Sequence, residues 1–171
     1  MNRYLLSKNK RMQIQIYKAT KEDMPQVLEL IIELAVFEKE PDAVEVTVDD
    51  LLKEGFGEDP LFICFVAKVE NKIVGMALVY FRFSTWKGRT VHLEDLVVKE
   101  SMRGKNVGKA LYSEVIKYGH QKGVKRIEWA VLDWNQPAIS FYEKTGAKLH
   151  KDWYLVEMNE QGIKSYIKNL K

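Results

Sequence analysis

One short basic turn in the sequence has the composition of an anion-binding site. Residues Arg103 to Gly108 read RGKNVG, after the alternating apolar run Val91 to Val98 and before a segment with helical periodicity, Val107 to about Gln121. Unpaired N–H groups and the helix dipole favour an anion at a helix N-terminus, and glycine lets the anion approach the backbone closely. The turn therefore predicts a phosphate-binding site, and an ordinary solvated loop is the alternative.

Two common nucleotide-binding motifs are absent from this stretch. The sequence contains no GxxxxGK[ST], and RGKNVG is not a GxGxxG followed by an acidic ribose ligand. A phosphate bound here would therefore belong to another kind of ligand.

The sequence contains few candidates for a catalytic or metal-binding side chain. Alternation places His92 and Glu94 on one face of the strand that precedes it. Cys64 lies in an apolar run without a Cys/His/Asp signature around it, which predicts a buried, inert thiol. His120 and His150 lack metal-ligand spacing, so we expect no metal site.

Composition sets the broad class of the protein. A chain of 171 residues with 46% hydrophobic content can form one domain with a proper core, which we place at residues 13–171 after a loose basic tail, residues 1–12. One cysteine excludes an internal disulfide and a thiolate zinc cage. No apolar run reaches membrane-spanning length and no signal peptide is evident, so we expect a cytoplasmic protein.

The order of predicted elements gives the fold class. The predicted elements are a strand from residue 13, a helix opened by Asp23 to Pro25, a short helix from Thr47 through Glu54 that ends at Gly55, a hairpin of Leu61 to Val69 and Lys72 to Phe83, the strand ending at Val98, the helix after the turn, a strand over Arg126 to Leu132, a helix over Pro137 to Thr145, a strand over Trp153 to Met158, and a terminal helix over Gly162 to Leu170. This order predicts an α/β protein with a mixed sheet.

Two motifs resemble those of the GNAT acetyltransferase superfamily. The turn is similar to its phosphate-binding motif, R/Q-x-x-G-x-G/A, with Asn106 at the fourth position, where asparagine tolerates a left-handed conformation. Trp134 to Ala147 resembles the family segment N-x-x-A-I-x-F-Y-x-x-x-G-A. The resemblance implies the GNAT acyltransferase fold, a mixed and mostly antiparallel central sheet flanked by helices.

The same resemblance implies catalytic roles. Tyr142 would protonate the departing CoA thiolate, and backbone N–H groups of Leu96 to Val98 would polarise the carbonyl. Glu94 is the candidate general base, acting through water, and His92 is the reserve base. The structural alternatives are that Tyr142 only packs with Ala138 and Phe141, and that His92 is a sheet residue that faces solvent or a helix.

A closer resemblance is to the diamine acetyltransferases, the spermidine/spermine and thialysine enzymes, over roughly residues 13–158. It rests on Glu33 to Glu38, Asp50 to Glu58, Val79 to Phe81, Trp86, Leu93 to Asp95 and Glu128 to Pro137. It implies a homodimer and an amine site formed by Phe37, Glu38, Glu94, Glu128, Trp129 and Ala130. It implies acetyl-CoA binding at Leu96, Val97, Val98, Arg103, Gly104, Lys105, Asn106, Val107, Gly108, Lys109, Asn135, Gln136, Pro137 and Ala138.

The sequence thus predicts an acetyl-CoA-dependent N-acetyltransferase that transfers the acetyl group directly to a small amine. The acidic segment, residues 38–59, carries nine carboxylates against two lysines and would concentrate a cationic substrate. A protein or peptide amine as substrate, and an acyl-CoA sensor without catalysis, are the alternatives. A nucleic-acid module is disfavoured because aromatic and basic residues are not interleaved, and we expect no membrane partner.

Overall fold

The computed structural model describes residues 12–170, so the predicted basic tail lies outside the described residues except for Met12. None of the helices in this part of the chain is long and apolar enough to cross a membrane. The chain separates into two compact units, one ending at Ala130 and the other beginning at Val131.

The first unit is a five-stranded sheet with helices on both faces. Its elements are β1 (Gln15–Lys18), α1 (Met24–Phe37), α2 (Val48–Phe56), β2 (Ile63–Val69), β3 (Lys72–Ser84), β4 (Gly88–Val98), α3 (Val107–Gln121) and β5 (Ile127–Glu128), with single 3-10 turns at Lys21–Asp23 and Glu100–Met102. The strand order is β1-β2-β3-β4-β5; only the β4–β5 pair is parallel. The predicted α/β fold with a mixed, mostly antiparallel sheet is confirmed.

Local sequence explains most of these boundaries. Glu70 and Asn71 both adopt positive φ, at 48° and 66°, and turn β2 into β3. Thr47 caps α2, because its Oγ1 accepts a hydrogen bond from Asp50 N at 3.2 Å while Asp50 Oδ2 accepts from Thr47 N at 3.0 Å. At least one carboxylate of the acidic segment therefore has a structural task.

Hydrophobic cores lie on both faces of the sheet. On one face, α1 and α2 pack over Cys64, Val66, Met76 and Val97. On the other face, α3 packs over Val79, Val91 and Leu93. The two faces are called the α1 face and the α3 face below.

The second unit contains two capped helices, α4 (Gln136–Lys144) and α5 (Glu160–Asn169). Asn135 Oδ1 accepts a hydrogen bond from Ala138 N at 3.3 Å, and Asn159 Oδ1 accepts one from Gly162 N at 2.9 Å. Both asparagines are therefore helix N-caps.

Three of the predicted elements differ from the structure. The strand over Arg126 to Leu132 shrinks to β5, which pairs only with Val91 and His92, because β4 bends at a bulge directly beyond this pairing. Trp153 to Met158 is not a strand, since no described strand supplies it with hydrogen-bond partners. α2 runs through Gly55 and ends at Phe56, with Gly57 as the C-cap residue.

Candidate active site

A β-bulge in β4 brings two consecutive carboxylates to one face of the sheet. Leu78 lies opposite Asp95 and Val79 opposite Leu93, so Glu94 is an extra residue in the pairing with β3. An extra residue shifts the alternation of side chains by one position. Leu93 therefore points to the α3 face, whereas Glu94 and Asp95 both lie on the α1 face.

Glu94 lies beside two side chains of the same face. Its Oε2 is 3.6 Å from His92 Nε2, which agrees with the shared face predicted from alternation. Burial raises the pKa of Tyr80, and the hydrogen bond that its hydroxyl makes to Glu94 adds to that shift. The Tyr80 and His92 rings pack with centroids 5.1 Å apart. Half of the Glu94 side chain remains exposed, so a substrate can reach it.

The partners of His92 determine its tautomer. Arg82 Nη1 lies 3.3 Å from His92 Nδ1, and a guanidinium can only donate, so Nδ1 is the acceptor. The neutral ring then carries its proton on Nε2, toward Glu94. Burial lowers the pKa of His92, against the opposing charge of Glu94, and nearby Arg82 lowers it further. His92 is therefore a neutral donor whose lone pair is engaged, which makes it a poor base.

Glu128 is paired on both of its carboxylate oxygens. Oε1 is 3.2 Å from Arg82 Nη1, and Oε2 is 3.0 Å from Arg126 Nε. The next residue, Trp129, packs edge-on against Tyr112 at 5.7 Å within the core of the α3 face. The predicted amine-binding strand thus presents an ion-paired Glu128 and a Trp129 that packs on the opposite face.

Asp95 is a half-buried carboxylate with a raised pKa. Burial raises its pKa to about 6, and the negative charges of Glu94 and Glu38 add to that shift. Desolvation also raises the pKa of Glu38, which follows the last residue of α1. Cys64 lies nearby, and burial together with the Asp95 charge raises its pKa to about 12, which agrees with an inert thiol.

Asp95→Asn should stabilise the protein at neutral pH. An unfolded aspartate has a pKa of about 3.9, so between that value and about 6 the native state binds more protons than the unfolded chain. The free energy of unfolding therefore falls as the pH rises through this window, and the full cost applies above it. The variant should gain up to about 3 kcal/mol at pH 7.5 and almost nothing at pH 4 in urea denaturation.

The exposed carboxylate Asp42 provides the control, since Asp42→Asn should change stability little at either pH. An equal gain for Asp95→Asn at both pH values would show that ionisation of Asp95 has no part in the effect.

The predicted phosphate turn has the backbone of an anion cradle. Gly104 and Asn106 adopt positive φ, at 73° and 65°, and Asn106 leads into α3. The Asn106 side chain makes no capping hydrogen bond within the described chain, so N–H groups of the first turn of α3 remain for a ligand. Beside the turn, no described strand pairs with the β5-side edge of β4 beyond His92.

The two basic side chains of the turn contact the protein. Arg103 Nε donates to Val98 O at 3.3 Å, and its guanidinium lies 4.9 Å from the centre of the Phe37 ring. Lys105 Nζ donates to Ser101 O at 2.9 Å. Phosphate contacts at this turn would therefore come mainly from backbone N–H groups.

Gly108→Val should weaken acetyl-CoA binding more than Lys105→Ala does. A Cβ at Gly108 would lie 3.6 Å from Val98 Cγ2, an ordinary contact, so the fold accepts a side chain that would still hinder the phosphate. We expect a loss of roughly tenfold or more, equivalent to one hydrogen bond to a charged group. Isothermal titration calorimetry of both variants measures this, with melting temperatures as the control for folding. The reverse order would assign phosphate binding to side-chain charge.

The second unit holds Asn135 and Tyr142 at the two ends of α4. The Tyr142 carbonyl accepts hydrogen bonds from Thr145 Oγ1 at 2.6 Å and from Ala147 N at 3.3 Å, which fix the helix end. The Tyr142 ring packs against Phe141, with centroids 5.4 Å apart. Gln136 and Pro137 are exposed at the start of α4.

Sequence reasoning did not assign site roles to Tyr80, Arg82 or Asp95. The signal for Asp95 is the run Leu-Glu-Asp-Leu, which breaks strict alternation and indicates a bulge. Arg82 is a lone charge near the end of an apolar strand, which is a weaker signal. Within residues 12–170, no group of three or more His, Cys, Asp or Glu side chains is placed to hold a metal ion.

Comparison with known proteins identifies the family of the chain. The model of the acetyltransferase (GNAT) family matches residues 24–147. A thialysine N-epsilon-acetyltransferase of Bos taurus is 38% identical over 143 residues, which cover 79% of this chain and 84% of the relative. The spermidine/spermine N(1)-acetyltransferase-like protein 1 of Homo sapiens is 33% identical over 87% of this chain and 23% of its own length.

The fold is also found among solved structures. An integron cassette protein of V. cholerae superimposes with a TM-score of 0.75 over 91% of this chain and 98% of that protein. Its sequence identity is 22%, so this likeness shows a shared fold.

Proposed function

The chain belongs to the acetyltransferase (GNAT) family and is an N-acetyltransferase, and on this premise we propose that it transfers acetyl from acetyl-CoA directly to the primary amine of a small molecule. The single observation that carries the proposal is the bulge that places the half-exposed Glu94 carboxylate on the α1 face, beside Tyr80 and His92. Amine acetylation needs such a base, because an alkylamine is protonated near neutral pH.

Acetyl-CoA fits the turn between β4 and α3. The uncapped N–H groups of α3 and the room at Gly108 suit a pyrophosphate. No described strand pairs with the β4 edge near Leu96 to Val98, so this edge offers backbone donors. By resemblance, we also propose that residues of the segment Asn135 to Ala138 contact acetyl-CoA. When bound, acetyl-CoA supplies the activated acetyl group as a thioester.

Glu94 would take the proton from the amine, either directly or through one water molecule. Tyr80 and the Nε2–H group of His92 would orient the carboxylate. Glu38 and Asp95 add negative charge beside it, which attracts a cationic amine. Tyr142 would donate a proton to the departing CoA thiolate.

A panel of amines incubated with the enzyme and acetyl-CoA tests the proposal through the release of free thiol. Small diamines, polyamines and amino acids with a side-chain amine should release thiol, whereas peptides with a free N-terminus or lysine should not. Release with peptides alone would support a protein acetyltransferase. No release with any amine, despite tight acetyl-CoA binding, would support an acyl-CoA sensor. The homodimer and the cytoplasmic location remain predictions.

A further inference from the structure

One stripe of α1 contacts the connection between β4 and α3. Glu29, Glu33 and Phe37 are spaced four residues apart, so they lie on one face of the helix. Lys99 Nζ lies 3.8 Å from Glu29 Oε2 and 3.4 Å from Glu33 Oε1. The Arg103 guanidinium lies 4.9 Å from the centre of the Phe37 ring. We call these two cations and their three partners on α1 the clamp.

The two cations belong to a short, hydrogen-bonded segment. Lys99 N donates to Val74 O at 2.9 Å, which fixes one end of the segment to β3. Arg103 Nε donates to Val98 O at 3.3 Å. Between them lies the 3-10 turn Glu100–Met102, closed by a hydrogen bond from Arg103 N to Glu100 O at 3.1 Å. Because the segment is compact, a shift of the turn reaches α1 through the side chains of Lys99 and Arg103.

Each end of the clamp adjoins one of the two ligand sites. Arg103 comes directly before Gly104, the first left-handed residue of the phosphate turn. Phe37 is the last residue of α1, and Glu38 follows it. The resemblance predicts both of these residues in the amine site. The negative charge of Glu38 contributes to the raised pKa of Asp95, so its field reaches the carboxylates of that site.

The end of α1 rests on few hydrogen bonds of its own. The amides of Glu38 and Glu40 donate back to carbonyl groups of the helix, at 2.9 Å each. Lys39 then adopts a positive φ of 69°, and the helix does not continue. The last turn of a helix frays readily. The guanidinium packed on Phe37 therefore supports the helix from outside at its weakest point.

We propose that Lys99 and Arg103 are positioning residues that couple the two substrates, so that phosphate binding at the turn steadies the end of α1 and raises the affinity for the amine. This inference rests on the proposed function and adds a coupling between its two sites. Phosphate held by backbone N–H groups fixes the turn, and the turn fixes the guanidinium on Phe37. Linkage makes the effect reciprocal, so the amine raises the affinity for the phosphate ligand by the same factor.

The expected coupling is modest. Both cations are at least partly exposed, and ion pairs and cation–π contacts at exposed sites are individually weak. We therefore expect roughly fivefold, the lower end of the usual range. The alternative is that Lys99 and Arg103 only stabilise the fold. Their loss would then lower the melting temperature without changing any communication between the sites.

Adenosine 3′-phosphate 5′-diphosphate separates the coupling from direct contact between the substrates. It carries the phosphates of CoA and lacks the pantetheine arm, so it cannot touch the amine. In the wild-type protein, hydrogen exchange at the amides of Glu38 and Glu40 should slow by roughly fivefold when this probe is bound. By calorimetry, the probe should also raise the affinity for the amine that has the lowest KM in the thiol-release panel by a similar factor.

Variants of the two cations test the route of the effect. Arg103→Met should abolish both responses, although the probe itself should bind within about threefold of wild type, because its contacts are mainly to the backbone. Lys99→Met should reduce both responses at least about twofold, and Arg103→Lys, which keeps a cation over the ring, should retain part of them. Lys117→Met breaks an exposed ion pair with Glu114 on α3 and should leave both responses unchanged.

Three results would overturn the proposal while the proposed function stands. The wild-type protein could show no response to the probe, or Arg103→Met could respond as strongly as wild type. A loss of probe affinity beyond about tenfold in Arg103→Met would show that this side chain binds the phosphate itself. Failure of every amine to release thiol would refute the proposed function, whereas the exchange measurement at the end of α1 would still decide whether the clamp transmits phosphate binding.

Discussion

Glu94→Gln should lower kcat/KM at pH 7 by roughly 10²- to 10⁴-fold, the usual contribution of a general base, while acetyl-CoA affinity stays unchanged. Glutamine keeps the size of the side chain and can still accept a hydrogen bond from Tyr80. It cannot take the proton of an ammonium group. Steady-state thiol release, with calorimetry for acetyl-CoA, measures both parts of this result.

The loss of activity in Glu94→Gln should become smaller as the pH rises. An alkylamine with a pKa of about 10.4 is neutral in only about one molecule in 2,500 at pH 7. The negative charges of Glu94, Glu38 and Asp95 raise the pKa of a bound amine further, so the base is needed over a wide pH range. The activity of Glu94→Gln should follow the concentration of neutral amine, which rises about tenfold per pH unit. The gap to wild type should therefore narrow toward pH 10.

His92→Gln is the matched control on the same face. His92 Nε2 lies 3.6 Å from Glu94 Oε2 and His92 Nδ1 accepts from Arg82, so loss of the ring should misplace Glu94 and cost only several-fold in kcat. A larger loss in His92→Gln than in Glu94→Gln, or a pH-independent gap in Glu94→Gln, would assign the base role to His92 or to bulk water.

Tyr142→Phe should lower kcat by roughly 10²- to 10⁴-fold as well, because a general acid contributes a similar factor. The substitution removes only the hydroxyl. The ring packing on Phe141 and the hydrogen bonds to the Tyr142 carbonyl are retained, so α4 should keep its stability. Acetyl-CoA affinity should stay close to the wild-type value.

A neighbouring ring supplies the control for Tyr142. Phe141→Leu changes packing at the same helix end without touching a proton donor, and should affect the melting temperature more than kcat. If kcat of Tyr142→Phe stays within about twofold of wild type, far below the expected factor, the hydroxyl is not the proton source.

Much of the fold follows from short-range sequence signals. The Glu70-Asn71 turn, the Thr47 cap of α2 and the Asn135 cap of α4 each depend on residues three or fewer positions apart. The turn at Arg103 to Gly108 contains two residues, Gly104 and Asn106, of types that tolerate the left-handed conformation they adopt. The helical spacing of apolar residues identified α1 and α3, because each helix buries one apolar stripe.

Only part of the predicted site follows from short-range sequence signals. Alternation placed His92 and Glu94 on one face, and the structure agrees. Asp95 joins them because of the bulge, which depends on the register between β3 and β4. Glu128 was expected to bind an amine, and the two guanidiniums that occupy its oxygens were not foreseen.

The sequence by itself determined the turn, the helix caps, the apolar stripes of the helices and the family motifs, because each is encoded in a short continuous stretch of the chain. Tertiary structure alone decided the protonation and pairing of the site. Arg82 of β3, His92 of β4 and Glu128 of β5 meet only when three strands are in register. The raised pKa of Asp95 likewise arises from desolvation in the folded protein, and the charges of Glu94 and of the distant Glu38 add to it. Electrostatic environment is a property of neighbours in space, which no local pattern specifies.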